Sequence, residues 1–192
     1  MLINQHTIRF SHFIVTLLFL GVFFGCQNQG SENPRPSQES RKSPIAIASV
    51  KGDGSYVKVV YGQPYRRGRT IFGDLQPWGE VWRTGANEAT EITITDPVLM
   101  GDQAINSGTY TLFTIPGPDS FTVILNHELG QWGAFEYNPE RDYKRMKFPV
   151  QKLSTPVEAF TIEFSEPEYS MSTMSLKWDR VRVDIPIRFY GE

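Results

Sequence analysis

The last third of the chain alternates strictly between apolar and polar side chains, and this pattern constrains the fold most. Between residues 181 and 189 every second position is apolar, with arginine, aspartate or proline in between. A period of two places alternate side chains on opposite faces of a strand, whereas a helix needs a period of 3.6. The same alternation holds for Phe160, Ile162 and Phe164, and for Met174, Leu176 and Trp178. We therefore predict strands here, with residues 174–189 forming a hairpin that turns at Asp179-Arg180. Because Pro186 cannot donate to a ladder, that strand is expected to have a free edge there.

Short strand-like stretches separated by turn residues fill the rest of the domain. Asp53-Gly54 lies between apolar runs at 45–50 and 56–61, which is a typical hairpin turn. A second hairpin is predicted around Gly101-Asp102, with further strands at 90–95, 109–115, 121–125, 134–137 and 143–150 and a helical turn at 139–142. About ten strands, turns every 8 to 12 residues or so and no amphipathic helix predict an all-β fold. The architecture is expected to be a single antiparallel β-sandwich or a partly open barrel.

The first 44 residues are predicted to be an export signal and a tether. Residues 1–25 include Arg9, no acid, and a 12-residue apolar run, which suits a signal peptide and is short of the roughly 20 residues of a membrane span. Gly25-Cys26 then resembles a lipoprotein lipobox, although Phe24 departs from its usual small residue. Cys26 would be lipidated and would anchor the chain to a membrane. Residues 26–44 have almost no apolar side chains and are expected to be a disordered tether, so the domain is predicted at 45–192.

Charge, histidine and cysteine content argue against several classes of function. The net charge is −2, and it becomes −3 without residues 1–25, so a general nucleic-acid binder is not expected. His127 is the one histidine after residue 25 and Cys26 is the one cysteine, which leaves little for a zinc site. Neither a Gly-x-Ser-x-Gly nucleophile motif nor a phosphate-binding Gly-x-x-x-x-Gly-Lys loop is present. We therefore predict no metal and no cofactor.

The stretch from Tyr61 to Thr90 is the long irregular connection of the domain and the first candidate site. It combines tryptophans, glycines, arginines and an Asn-Glu pair, a mixture that strands do not need. One interpretation is structural, because a long loop must satisfy its own backbone polar groups. The other is a ligand site with an aromatic platform and hydrogen-bonding side chains, as sugars require. The candidate ligand-binding residues of this stretch are Trp78, Trp82, Arg83, Asn87 and Glu88.

A second candidate lies at residues 126–136, where His127 and Trp132 are the residues of interest. A histidine beside acids can serve as a general base, although a lone loop histidine is more often a simple surface residue. Glycosidases use two carboxylates within about 10 Å, and Glu80, Glu88, Glu128 and Glu136 could supply such a pair. The basic run at 66–69 is interpreted as a solvated turn, with contact to an anionic surface or glycan as the alternative.

Five motifs together resemble a known bacterial family. They are Tyr-Gly-x-Pro at residue 61, Gly-Arg-x-Ile-Phe-Gly at 68, the block from Gly79 to Thr90, Gly-Thr-Tyr-x-Leu-Phe-x-Ile-Pro-Gly at 108–117, and Gln-Trp-Gly at 131. On these residues the chain is identified as a member of the domain of unknown function DUF2911, which is common in Bacteroidetes-type bacteria. The resemblance implies an exported, often lipid-anchored all-β domain, and it brings no reaction, cofactor or catalytic residue.

These observations predict a non-enzymatic lipoprotein with a binding or accessory role in the cell envelope. Its ligand would be a carbohydrate or another envelope component. It would be exported and anchored to the outer membrane, on the periplasmic or surface face. One alternative is an envelope or glycan hydrolase that uses carboxylates of loops 78–88 and 126–136. Another is a structural partner in an envelope assembly, with the aromatic loop as a protein interface.

Overall fold

The structure is a computed structural model, and it describes residues 41–190, which belong to one compact unit. The predicted signal peptide, Cys26 and the tether up to residue 40 lie outside the described residues. Nine strands and one 3₁₀ turn make up the fold. They are β1 (Ile45–Gly52), β2 (Ser55–Gly62), β3 (Thr90–Ile94), β4 (Val98–Met100), β5 (Gln103–Ile105), β6 (Gly108–Ile115), β7 (Ser120–Asn126), the 3₁₀ turn Pro139–Arg141, β8 (Asp142–Phe164) and β9 (Met171–Phe189). In residues 41–190 no helix is long and apolar enough to cross a membrane.

The strands form one antiparallel sheet in the order β1-β2-β3-β6-β7-β8-β9-β4-β5, and the sheet is not closed. The predicted all-β class is therefore confirmed. Strand β8 is 23 residues long; its first part pairs with β7 and its remainder pairs with β9. Because one strand serves both halves, the sheet curves back on itself. The chain after β2 meets β8 again, through an isolated bridge between Tyr65 and Ala159 and a bond from the amide of Phe160 to the carbonyl of Pro64.

The alternation predicted for β8 and β9 holds, and it builds the core. Phe160, Trp178 and the apolar positions from Val183 to Phe189 are buried, whereas Pro186 and Arg188 on the opposite face are exposed. The first hairpin is also as predicted, since Asp53 and Gly54 both have positive φ (44° and 81°), as its two-residue turn requires.

Two sequence-based expectations are wrong. Residues 171–189 are one continuous strand, so there is no hairpin turn at Asp179-Arg180. Asp179 instead lies at an irregularity in the β8–β9 register, with φ of 50°. The register shifts here because residues 152–161 of β8 lie opposite residues 177–181 of β9, and the apolar positions of β9 change from even to odd numbers between Trp178 and Val181. The second error concerns residues 134–137, which were expected to be a short strand. The chain instead turns there, and the turn begins at Gly133, whose φ is 79°.

Candidate functional site

The long connection between β2 and β3 is ordered by its bonds to neighbouring strands. Trp82 exchanges two backbone hydrogen bonds with Thr114 of β6, of 2.7 and 2.9 Å. Its side chain is 3% exposed, stacks on Trp178 at 5.7 Å, and donates its indole N–H to the carbonyl of Gly85. Trp82 is therefore a core residue that anchors the connection, and its ring is not available as a platform for a ligand.

Behind this anchor the connection forms a pocket of about 290 Å³. Its floor includes the otherwise buried indole of Trp178. Four cationic side chains and no carboxylate contribute to its walls. The lining residues are Lys42, Ser43, Pro64, Tyr65, Arg67, Arg69, Leu75, Gln76, Arg83, Gly85, Ala86, Asn87 and Trp178. Cations without a carboxylate among the lining residues give the pocket a positive potential, so it favours an anionic ligand.

Arg83 is the most unusual of these cations. Its Nε is buried and has no hydrogen-bond partner among residues 41–190. Burial lowers the pKa of the Arg83 guanidinium from its ordinary value, because removal from water disfavours the charged form. A buried N–H donor without a partner destabilises the fold by about 1–3 kcal/mol. Water or a polar ligand in the pocket would satisfy this donor.

Arg67 and Arg69 are exposed residues of the run that the sequence suggested was a solvated turn. The guanidinium of Arg69 donates to the carbonyls of Arg66 and Tyr65, at 2.9 and 2.7 Å. That of Arg67 donates to the carbonyl of Lys42 at 3.1 Å. All of these acceptors are neutral carbonyls. They hold both guanidinium groups beside the pocket and leave their positive charge uncompensated. The run turns at Arg67 and Gly68, which have positive φ (52° and 74°), and Arg67 and Arg69 line the pocket.

Residues 41–44, which we call the strap, lie across the same loops. Arg41 forms a bidentate ion pair with Glu88, with both distances 2.7 Å. The carbonyl of Ser43 accepts a bond of 3.4 Å from the Asn87 side chain, and the carbonyl of Pro44 accepts one of 2.8 Å from the amide of Gln63. Sequence composition assigned these residues to the tether, yet here they complete one wall of the pocket. Nothing in their composition signalled this, since the contacts are to residues 19 or more positions away.

The candidate residues of the first loop divide three ways. Arg83 and Asn87 line the pocket, as a ligand role requires. Glu88 does not line it and instead binds the strap. Trp78 is 42% exposed and stacks on Phe72 at 6.0 Å, outside the pocket lining.

The candidate residues of the second loop are not part of the pocket. The ring of His127 packs against Tyr110 and Tyr143, with ring centres 5.5 and 5.1 Å apart. Trp132 is 58% exposed and its backbone forms a bridge to Glu88. None of the four glutamates proposed for hydrolysis lines the pocket. The part of the chain from 41 to 190 also holds no group of three His, Cys, Asp or Glu residues arranged for a metal ion.

Comparison with known families agrees with the motifs. The family model described as a protein of unknown function, DUF2911, matches residues 43–187. The chain belongs to this family. No curated protein and no solved structure matches the chain.

The DUF2911 motifs contact one another around the pocket. The amide of Ala86 bonds to the carbonyl of Gly62 at 3.1 Å, and a Cβ at Gly62 would lie 1.9 Å from the carbonyl oxygen of Ala86. The Tyr-Gly motif thus needs glycine so that the Gly-Ala-Asn-Glu block can pack against it. The amide of Gly79 likewise bonds to the carbonyl of Pro116, at 2.8 Å. Motifs far apart in sequence therefore build one structural unit, and the pocket lies in it.

Proposed function

We propose that this chain is an exported, membrane-tethered binding protein of the cell envelope, and that its pocket holds a small anionic ligand. The sequence predicts a carbohydrate ligand, and the pocket is lined by cations. The proposed ligand class is therefore a carbohydrate with an acidic group. The N-terminal signal and Cys26 support the location, because their sequence is typical of lipoproteins. No catalytic step is part of the proposal.

The observation that carries the proposal is the unpartnered, buried Nε of Arg83 in a pocket whose other charged groups are Lys42, Arg67 and Arg69. A ligand carboxylate would pair with this nitrogen and with the neighbouring cations. A charge-assisted hydrogen bond stabilises a complex by about 1.5–3 kcal/mol, so one such contact changes affinity tenfold or more.

The hydrolase alternative gains no support from the geometry. Glycoside hydrolysis needs two carboxyl groups about 5–10 Å apart, facing one cleft. No carboxylate lines the pocket, and Glu88 is engaged with Arg41. The structural-partner alternative stays a prediction.

Calorimetric titration of the full chain in detergent tests the binding site. The probes are glucuronate, glucose as its neutral counterpart, and inorganic phosphate. We expect glucuronate to bind, glucose not to bind, and affinity for glucuronate to fall as salt rises, because exposed charges are screened. The Arg67→Gln/Arg69→Gln variant should bind at least about tenfold more weakly, whereas Arg188→Gln, on the exposed face of β9, should bind normally.

Equal heats for glucuronate and glucose, or normal binding by the double variant, would reject the anion site. Location is measured separately. Cys26→Ala should release the chain from membranes, and unchanged retention in the membrane fraction would reject the lipid anchor.

A further inference from the structure

Loop 126–138 exposes three large apolar side chains within seven residues. Leu129 is 47%, Trp132 is 58% and Phe135 is 85% exposed. Single exposed apolar residues are common on protein surfaces, but a cluster indicates an interaction site. These three residues take no part in the pocket, so the binding function proposed above does not explain them.

The backbone of this loop is well anchored, so poor packing of the chain does not account for the exposure. The hydroxyl of Thr111 donates to the carbonyl of Glu128 at 2.5 Å, and the amide of Gly130 donates to the carboxylate of Glu91 at 3.0 Å. Gly130 and Gly133 have φ of 71° and 79°, which gives the loop a defined path. A held backbone with outward apolar side chains is a pre-formed contact surface.

The loop lies beside the point at which the N-terminal segment reaches the domain. The amide of Ala89 bonds to the carbonyl of Gln131 at 2.9 Å, and the amide of Gly133 bonds to the carbonyl of Asn87 at 3.0 Å. Between these two bonds is Glu88, whose carboxylate holds Arg41. Any membrane anchor that precedes residue 41 is therefore connected to the domain at the corner that carries the apolar loop.

We propose that the stretch Leu129–Phe135 docks into the interfacial layer of the lipid bilayer to which the N-terminal segment is tethered. This inference rests on the membrane tethering in the proposed function. Tryptophan and other aromatic side chains favour the interface between hydrocarbon and water. Arg41 lies 15 positions after Cys26, and even a fully extended chain of that length cannot exceed about 50 Å, so an anchor at Cys26 keeps the domain close to the membrane. Glu128 and Glu136 flank the apolar stretch in sequence, and their negative charge does not attract anionic headgroups. Docking therefore depends on burial of the apolar side chains.

Spin labelling of the full chain in phosphatidylcholine vesicles tests this surface. Phe135→Cys carries the label, and Tyr169→Cys is the matched control because Tyr169 is 90% exposed. The control position is far from the strap. The carbonyl of its neighbour Ser170 accepts a hydrogen bond from the amide of Phe189, and the Phe189 ring packs against Gly52. Gly52 is at the end of β1 that lies opposite the strap. The parent chain, in which Cys26 is the one cysteine, measures background labelling.

We expect the label at position 135 to collide more with oxygen and less with a water-soluble nickel complex than the label at 169. Adding Leu129→Ser and Trp132→Ser should reduce the immersed fraction at 135 about tenfold, with an unchanged melting curve, because both side chains are already exposed. Equal access of the nickel complex to both positions in a chain that remains on the vesicles would overturn the docking and leave tethering and ligand binding intact. A label at 135 shielded from both reagents would indicate protein contact and would also overturn it.

Discussion

Replacing Arg83 with methionine should make the domain more stable while it weakens the anion site. The buried Nε of Arg83 has no partner among the described residues, and burial depresses the pKa of the guanidinium. Methionine keeps an unbranched apolar stem and has no donor to leave unsatisfied. The unsatisfied donor is worth about 1–3 kcal/mol, and some packing is lost with the guanidinium, so a net gain of about 1–2 kcal/mol is expected.

Thermal unfolding of the ligand-free chain measures this gain. For a domain of about 150 residues, 1 kcal/mol corresponds to roughly 2–4 °C, so Tm should rise by about 2–8 °C. Arg188→Met is the matched control: its side chain is exposed on β9, and its effect should stay within about 0.5 kcal/mol. Ligand distinguishes the two chains. At one hundred times its dissociation constant for the parent chain, glucuronate should stabilise the parent by about 2.7 kcal/mol, and Arg83→Met, which binds at least about tenfold more weakly, by no more than about 1.4 kcal/mol.

The reasoning would be refuted if Arg83→Met lowered the stability of the ligand-free chain by more than about 1 kcal/mol. That result would mean that the guanidinium supports the fold, as the structural interpretation of the loop holds. A stabilised variant that gained as much Tm with glucuronate as the parent chain would instead place the anion elsewhere.

Three further perturbations follow from single contacts. Glu88→Gln removes the charge that binds Arg41. Because the Glu88 side chain is 43% exposed, the free energy of unfolding should fall by less than about 1 kcal/mol. The change should appear as faster hydrogen exchange in residues 41–44 with a nearly unchanged Tm. Trp82→Ala removes a buried ring and its bond to Gly85, and should destabilise the fold by about 3–5 kcal/mol in chemical denaturation; a loss below about 1 kcal/mol would contradict its core role. Burial and then Asp142 raise the pKa of Tyr137 to about 12 from 10, so its contribution to stability should be complete below pH 10 and disappear as pH rises through about 12. Stability measured from pH 9 to 12 should therefore fall less steeply for Tyr137→Phe, and parallel curves would contradict the assignment.

The strands were predictable because their signal is local. Period two in β9 and the Asp-Gly turn between β1 and β2 depend on neighbours in sequence, and both appear in the structure as expected. Even the error at Asp179 left a local trace, since the apolar positions change phase there. A two-residue turn and an irregularity within one strand can both interrupt an alternating pattern, and the strand that lies opposite distinguishes them. That partner is β8, and the β8–β9 register is a tertiary property.

The candidate site was predictable only in part. Sequence reasoning selected Arg83 and Asn87, because a polar cluster in a long irregular loop is unusual. It assigned Lys42 to a tether and took Trp82 for a possible platform, whereas its interpretation of the basic run at 66–69 as a solvated turn agrees with the exposure of Arg67 and Arg69. Each of these depends on burial, which a residue type does not determine for arginine, lysine or tryptophan. Only the packing of the loops onto β8 and β9 decides which face of each side chain meets water.

Alternation and turn chemistry are properties of adjacent residues, so the all-β class of the domain and its core-facing positions were predictable, as was the DUF2911 family from its motifs. That the strap, the basic run, Arg83 and Trp178 line one pocket, and that the apolar loop lies beside the chain's N-terminal approach, depends on the tertiary structure. These groups come from four separated stretches, and only the antiparallel register of the sheet brings them together. The physical reason is that hydrogen bonds between strands set distances across more than a hundred residues of sequence, whereas local propensity acts over a few.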